Sequence, residues 1–126
     1  MNRNYGISGR MVKLQLANGD RSAGEQWQYL RLLHYPQGIM KVTVHSSIGE
    51  TKSIQYTGDH AIRLYLGNTD VQIYKITIDV SDTKIQFPIH SFSMNVTITG
   101  GEGRVMYTKA IVVTAGRKLE LHLSNK

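Results

Sequence analysis

Turn-forming residues interrupt this sequence at short intervals along its whole length, and this spacing constrains the fold more than any other feature. Examples are Asn18-Gly19-Asp20, Pro36-Gln37-Gly38, Gly67-Asn68-Thr69-Asp70 and the Gly-Gly-Glu-Gly run at 100–103. The segments between the turns are about 5 to 11 residues long and rich in Val, Ile, Thr and Tyr. Short segments of this composition between regular turn signals are typical of antiparallel sandwiches and barrels.

Apolar and polar residues alternate within several of these segments, as expected for strands with one buried face. The buried positions predicted in this way are Met40, Val42 and Val44, then Met94, Val96 and Ile98, and finally Leu119, Leu121 and Leu123. The segment DVQIYKITIDV differs, because Val71 and Ile73 share one phase whereas Ile76 and Ile78 share the other. Such a phase change within a strand predicts a β-bulge near Tyr74-Lys75.

One stretch, GEQWQYLRLLHYPQG at residues 24–38, is compatible with both a helix and a strand. Ser22-Ala23-Gly24-Glu25 fits a helix capping box, and the Gln, Leu and Arg residues that follow favour a helix. Against this, Trp27 and Tyr29 alternate with polar neighbours, and every segment nearby is strand-like. We interpret the stretch as a strand.

These patterns predict an all-β protein, a single-domain antiparallel β-sandwich of jelly-roll type with about eight to ten strands. The sandwich is expected over residues 11–126, after a flexible basic arm at residues 1–10. A chain of 126 residues is long enough for a hydrophobic core, and it contains no cysteine for a disulfide framework. No apolar run approaches the ~18 residues of a membrane-spanning helix. The amino-terminal MNRNYGISGR shows no signal peptide, so we expect synthesis in the host cytoplasm.

The chain is basic, with a formal net charge of +6 and a pI of about 9.7. Basic residues of the first third interleave with Tyr5, Trp27 and Tyr29, as in small barrels that bind single-stranded nucleic acid by stacking and charge. The same aromatic residues fit a core equally well. The candidate contacts with a partner or with nucleic acid are Arg3, Tyr5 and Arg10 in the expected arm.

No residue pattern in the sequence indicates catalysis, a cofactor or a metal. The five histidines are not arranged as the neighbouring pair with a carboxylate that a cupin metal site requires, and His45 and His122 fall on the polar phase of their strands. The Gly-rich stretch at 99–104 lacks the Gly-Lys-Ser/Thr ending of a phosphate loop and predicts a hairpin loop. We therefore predict a protein that is not an enzyme, with no catalytic, cofactor-binding or metal-binding residues.

The span from Val12 to about Val80 resembles small β-rich virion proteins of tailed or membrane-containing bacteriophages, of the vertex, decoration or spike-base type. The resemblance rests on a strand of W-x-Y-L-x-L-L type ending at Leu33 and on a P-x-G-x-x-x-V-x-V hairpin beginning at Pro36. An Ile-x-Leu element at 62–64 and a long strand after Asn68-Thr69-Asp70 complete it. Residues after Ile85 have no counterpart in this pattern.

The resemblance implies a structural role without a catalytic set, so no functional residue is carried over. It leads us to expect a virion protein that forms a homo-oligomer, either a trimer, a pentamer or a hexamer. Such a protein would dock onto the capsid, vertex or tail through other virion proteins, and nucleic acid is an additional candidate partner. The alternative function is a small basic β-barrel that binds single-stranded nucleic acid, which requires Trp27 or Tyr29 to face solvent.

Overall fold

A computed structural model describes residues 6–16, 41–53, 61–80, 91–114 and 116–123 of the chain. In these residues we number nine strands in chain order: β1 (Ile7–Gly9), β2 (Met11–Leu16), β3 (Lys41–Ser46), β4 (Gly49–Ser53), β5 (Ala61–Tyr65), β6 (Val71–Asp79), β7 (Ser91–Thr99), β8 (Val105–Thr114) and β9 (Lys118–His122). The predicted strand at residues 26–34, with Trp27 and Tyr29, lies outside this part of the chain. None of the described residues forms a helix that could cross a membrane.

The strands form two antiparallel sheets that pack face to face, which confirms the predicted all-β sandwich. Sheet I has the order β1-β6-β3-β4, with β9 also paired to β6, and sheet II has the order β5-β2-β7-β8. The described pairings do not establish a jelly roll, a topology that requires two Greek keys.

The core lies between the sheets and is built from the apolar phase of nearly every strand. Val42 and Val44 of sheet I and Val96 and Ile98 of sheet II are fully buried, as their alternation predicts. Leu121 and Leu123 are also buried, and Leu119 packs against the same cluster. The two-residue period thus identified which face of these strands is buried.

The β-bulge predicted near Tyr74-Lys75 is present in β6, the strand of sheet I that pairs with β1, β3 and β9. Along β3, His45 pairs with Lys75 and Ser46 pairs with Ile73, so Tyr74 is the extra residue. On the other edge of β6, β1 pairs with residues 71–73 and β9 with residues 75–79. The backbone N–H of Leu123 donates to the Tyr74 carbonyl at 2.9 Å. The bulge therefore lies where these two partner strands meet.

Two of the turn segments predicted from the sequence connect consecutive strands: Gly67-Asn68-Thr69-Asp70 lies between β5 and β6, and the Gly-rich run lies between β7 and β8. A two-residue turn at Ser47-Ile48 joins β3 to β4. The Gly-rich stretch at 99–104 is a hairpin loop between β7 and β8, as predicted, and Gly101–Gly103 within it form one 3₁₀ turn. The turn predicted at Asn18-Gly19-Asp20 lies outside the described residues, and β2, the strand before it, has β5 and β7 as its neighbours.

The prediction of a flexible arm over residues 1–10 is wrong for residues 6–10. Residues 7–9 form β1, the Ile7 side chain is buried, and the chain continues through Arg10 directly into β2. The sequence of β1 contains only one large apolar residue, so its local pattern gave no strand signal. Its order comes from pairing with β6, more than sixty residues further along the chain. Arg3 and Tyr5 lie outside the described residues.

Candidate binding surfaces

Arg10, one of the predicted contact residues, occupies the corner where the chain passes from sheet I to sheet II. Its backbone N–H donates to the Thr99 carbonyl, and its own carbonyl accepts from the Leu66 N–H, both at 2.7 Å. Its Nε donates to Asp70 Oδ1 at 2.8 Å, and the Ser8 hydroxyl donates to the other Asp70 oxygen at 3.3 Å. The ion pair is partly exposed. Because Asp70 joins Arg10 and Ser8, we assign it a structural role at this corner.

Gly101 in the β7–β8 loop lies directly against the Arg10 guanidinium. A Cβ added at Gly101 would lie 3.1 Å from Arg10 Nη2, and one added at Gly100 would lie 3.0 Å from Asp70 Oδ2. Because these two glycines have no side chains, the loop can pack closely against the Arg10–Asp70 ion pair. This explains the two adjacent glycines at residues 100–101 without a phosphate-binding role.

The outer face of sheet I is densely charged, and many of its charges are paired within the face. In the part formed by β3, β4, β9 and residues 75–79 of β6, its side chains are four lysines, three carboxylates, two histidines and two threonines: Lys41, Lys52, Lys75, Lys118, Glu50, Asp79, Glu120, His45, His122, Thr43 and Thr77. Lys75 Nζ lies 3.8 Å from one Glu120 oxygen, and His122 Nε2 lies 3.6 Å from the other. A face with this mixture of signs is typical of a solvated surface.

His45 illustrates how these polar groups satisfy one another. Its Nε2 lies 3.1 Å from the Thr77 hydroxyl, and its Nδ1 lies 3.3 Å from Glu50. His45 and His122 both lie on the outer face, as their strand phase predicted. Among the described residues, no three His, Asp or Glu side chains are close enough together to hold a metal ion.

The outer face of sheet II has a very different composition. Its β7–β8 half, which we call the uncharged half, presents no ionisable side chain: Ser93, Asn95, Thr97 and Thr99 from β7 and Val105, Thr108, Ala110 and Val112 from β8. Val105 and Val112 are each 58% exposed. In a chain with a net charge of +6, an exposed surface of two long strands without any charge is unusual.

The β2–β5 half of the same face, which we call the cationic half, carries two basic residues. Lys13 on β2 lies directly opposite Arg63 on β5, and Met11 lies opposite Tyr65 in the adjacent row. Gln15 and Ala61 form the third pair, in which Ala61 is fully buried, and none of the six side chains is acidic. Tyr65 is 71% exposed, which makes it the most exposed large apolar side chain among the described residues.

The sequence analysis included Lys13 only among the unnamed basic residues of the first third of the chain, and it did not identify Arg63, Tyr65 or the two valines as surface residues. The alternation in β5, which places Arg63 and Tyr65 on one face, was the sequence signal that could have identified them as surface residues. What the alternation could not provide was the pairing of β5 with β2, which joins segments about fifty residues apart.

Comparison with known proteins gives no match: no family model fits the chain, and no curated protein or solved structure is significantly similar to it.

Proposed function

We propose that this chain is a non-enzymatic structural protein of a bacteriophage virion, which self-associates and docks onto the capsid, vertex or tail. The virion assignment is supported by the sequence resemblance over residues 12–80, and the assembly role is supported by the uncharged half of sheet II. The proposed complex is a homo-oligomer, a trimer, pentamer or hexamer, that is made in the host cytoplasm and incorporated into the particle.

The observation that carries the proposal is the contrast between the two outer faces. The centres of protein interfaces are depleted of charged residues, whereas solvated faces mix charges of both signs. The uncharged half holds two exposed valines beside threonine, serine and asparagine side chains that can form hydrogen bonds across an interface. The charged outer face of sheet I is suited to remain in water.

Size-exclusion chromatography with light scattering, at low and at high salt, tests the assembly. We expect a discrete oligomer that persists at high salt, because burial of an uncharged surface is not screened by ions. The Val112→Lys variant should dissociate, since it places a charge in the contact surface. Ile48→Lys is the matched control, because Ile48 is equally exposed, at 58%, but lies on the β3–β4 turn of sheet I.

A monomer over a wide concentration range, or equal dissociation by Val112→Lys and Ile48→Lys, would contradict this proposal. Binding of the purified oligomer to isolated virions or capsids then tests the docking step. The second candidate function is a basic protein that binds single-stranded nucleic acid, and the specific observation in its favour is the cationic half beside the uncharged surface.

A further inference from the structure

We infer that β4 is a second contact surface between copies of this chain, through which the β4 strands of two copies pair in antiparallel orientation around a two-fold axis at Thr51. The pairing joins sheet I of one copy to sheet I of the other and leaves the outer face of both sheets in water. It shares no residue with the uncharged half, so it goes beyond the proposed assembly through a different part of the fold.

The outer edge of β4 is open among the described residues. β4 is the outermost described strand at one end of sheet I, where it pairs with β3, and Gly49, Glu50 and Lys52 are exposed. Edge strands present unpaired backbone groups to other strands unless a cover or an inward-pointing charge prevents pairing. Gly49 and Thr51 lie on the inward phase of β4, and neither carries a charge. Nothing in these residues therefore blocks the approach of another strand.

The directions of the backbone groups in β4 fit this pairing. Ser46 and Gly49 close the two-residue turn between β3 and β4, and such a closing pair is hydrogen bonded. Hydrogen-bonded and non-hydrogen-bonded pairs alternate in an antiparallel ladder, so Thr51 also bonds to β3, whereas Glu50 and Lys52 direct their N–H and C=O groups away from it. Around an axis at Thr51, Glu50 of each copy exchanges both N–H···O bonds with Lys52 of the other.

The charges of β4 select the register of the pairing. Paired strands keep their side chains on the same face, so the axis can lie at Glu50, Thr51 or Lys52 but not between two residues. An axis at Glu50 places two glutamates opposite each other, and an axis at Lys52 places two lysines opposite each other. Only the axis at Thr51 places each glutamate directly opposite a lysine, an arrangement that stabilises paired strands.

Both charged side chains are available for these pairs. The Glu50 side chain is 56% exposed, and its neighbour His45, with Nδ1 at 3.3 Å, carries a charge only when it is protonated. The exposed Lys52 lies opposite the neutral Thr43 on β3, and the described residues include no ion-pair partner for it. The second copy therefore supplies each of these groups with a permanent charge of the opposite sign or with a carboxylate.

The contact is small, because only the five residues Gly49–Ser53 of each strand take part, so we expect weaker binding than across an interface of standard size. A closed complex that contains two-fold axes has an even number of chains. Among a trimer, a pentamer and a hexamer, only the hexamer meets this condition. This choice of size, unlike the β4 contact itself, rests on the proposed function.

Val112→Lys provides the background for the test, because it disrupts the uncharged half and leaves β4 unchanged. Sedimentation equilibrium over micromolar to millimolar concentrations should show this variant as monomers in equilibrium with dimers. Addition of Glu50→Lys should raise the dimer Kd roughly 4- to 1,000-fold, because two attractive pairs become repulsive. Further addition of Lys52→Glu exchanges the two charges, restores the opposite-charge pairs and should return the Kd to its original value.

Glu102→Lys in the same background is the matched control, because it makes the same change of net charge at an exposed site in the β7–β8 loop. It should leave the dimer Kd unchanged. Hydrogen exchange provides a readout specific to strand pairing. The amides of Glu50 and Lys52 should gain protection as the dimer forms, whereas the amide of Thr51 is already bonded to β3. Circular dichroism confirms that each variant is folded.

Three results would overturn the inference. The first is a Val112→Lys protein that stays monomeric over the whole concentration range, and the second is a charge exchange at Glu50 and Lys52 that fails to restore the dimer. The third is an unmodified complex that keeps an odd number of chains at the highest concentration. If the unmodified protein and Val112→Lys both formed dimers sensitive to Glu50→Lys, the β4 pairing would stand and the proposed function would fail.

Discussion

Gly6 and Gly116 both have positive φ angles, +88° and +81°, but only Gly6 is in close contact with other parts of the fold. A Cβ added at Gly6 would clash with the Ile73 carbonyl oxygen and lie 2.9 Å from the Tyr74 ring, whereas one added at Gly116 would meet nothing within 4 Å. The close approach of Gly6 to the bulge in β6 allows β1 to begin directly beside it.

We therefore predict that Gly116→Ala lowers the free energy of unfolding by about 1–2 kcal/mol, the usual cost of a left-handed conformation for alanine. Gly6→Ala should lower it by about 1–3 kcal/mol more, because the added methyl group overpacks against the β6 backbone. Urea denaturation of the two variants measures the difference. Equal losses would show that the backbone at Gly6 relaxes away from Ile73 without loss of stability.

Tyr107 should make the free energy of unfolding decrease at alkaline pH. The side chain packs against the core, and burial raises the pKa of its phenol above the ordinary value of about 10. As the pH rises, the unfolded chain therefore loses this proton before the folded protein does. The contribution of Tyr107 to stability is fully present below about pH 10 and is lost as the pH rises through the folded pKa.

Tyr107→Phe should abolish this part of the alkaline loss. Urea denaturation at pH 8 and at about pH 11 measures the free energy of unfolding of both proteins. The value for the variant minus that for the unmodified protein should be larger at the higher pH. Tyr65→Phe, which removes a phenol hydroxyl from an exposed side chain, is the control. If the unmodified protein, Tyr107→Phe and Tyr65→Phe all lost the same free energy of unfolding as the pH rose, Tyr107 would be excluded as the cause of the alkaline loss.

At the scale of single elements, β8 is the outermost described strand of sheet II, and it carries a charge on its inward phase. Ile111 and Val113 are buried, but Lys109 shares their phase, lies opposite the buried Val96 and is itself exposed. An inward-pointing charge on an edge strand discourages pairing with the edge of another molecule. Lys109 thus disfavours edge-to-edge pairing at β8.

Lys109→Val should therefore promote edge-to-edge aggregation, which light scattering and thioflavin fluorescence would detect as growing species. Lys52→Val is the matched control, because it removes the same charge from β4, the outermost described strand at one end of sheet I, but on the outer phase. Only Lys109→Val is expected to aggregate. A soluble Lys109→Val variant with the original mass would show that β8 is protected by other means.

The elements also show what the sequence could and could not predict. The phase change between Ile73 and Ile76 predicted the bulge. Two residues three positions apart can both face the core of one strand only if an extra residue lies between them. The strand β1 was missed because its three residues include only one large apolar side chain and because its order depends on pairing with β6. Local periodicity thus identified the strands with long apolar faces and failed where pairing at a distance decides the structure.

The candidate surfaces were largely unpredictable for the same reason. The outer phase of each strand was visible in the sequence, but a surface is a property of several strands together. Lys13 and Arg63 are neighbours only because β2 pairs with the distant β5. The uncharged half differs, because β7 and β8 form a hairpin whose loop the sequence predicted, and here only the absence of charge from the outer phase was overlooked. Of the predicted contact residues, Arg10 lies in the described part and is engaged with Asp70.

At the scale of the whole molecule, charge is distributed by sheet rather than along the chain. The two strands of the β3–β4 hairpin and the distant β6 and β9 together form one charged exterior, although they come from different parts of the sequence. Among the described residues, the outer face of the other sheet carries mostly neutral side chains and two cations. A protein with two such unlike sides can have one side in contact with a partner while the other side keeps it soluble.

The place of β6 in sheet I has a further consequence for the order in which the chain can fold during synthesis. β6 pairs with β1, β3 and β9, and β2 receives its β7 partner only when residues 91–99 have been made. A nascent chain that ends before Val71 can form the β3–β4 hairpin and the β2–β5 pair, but neither sheet in full. Because the remaining contacts join distant segments, the sandwich must be completed late, and folding should be slow for a chain of this length.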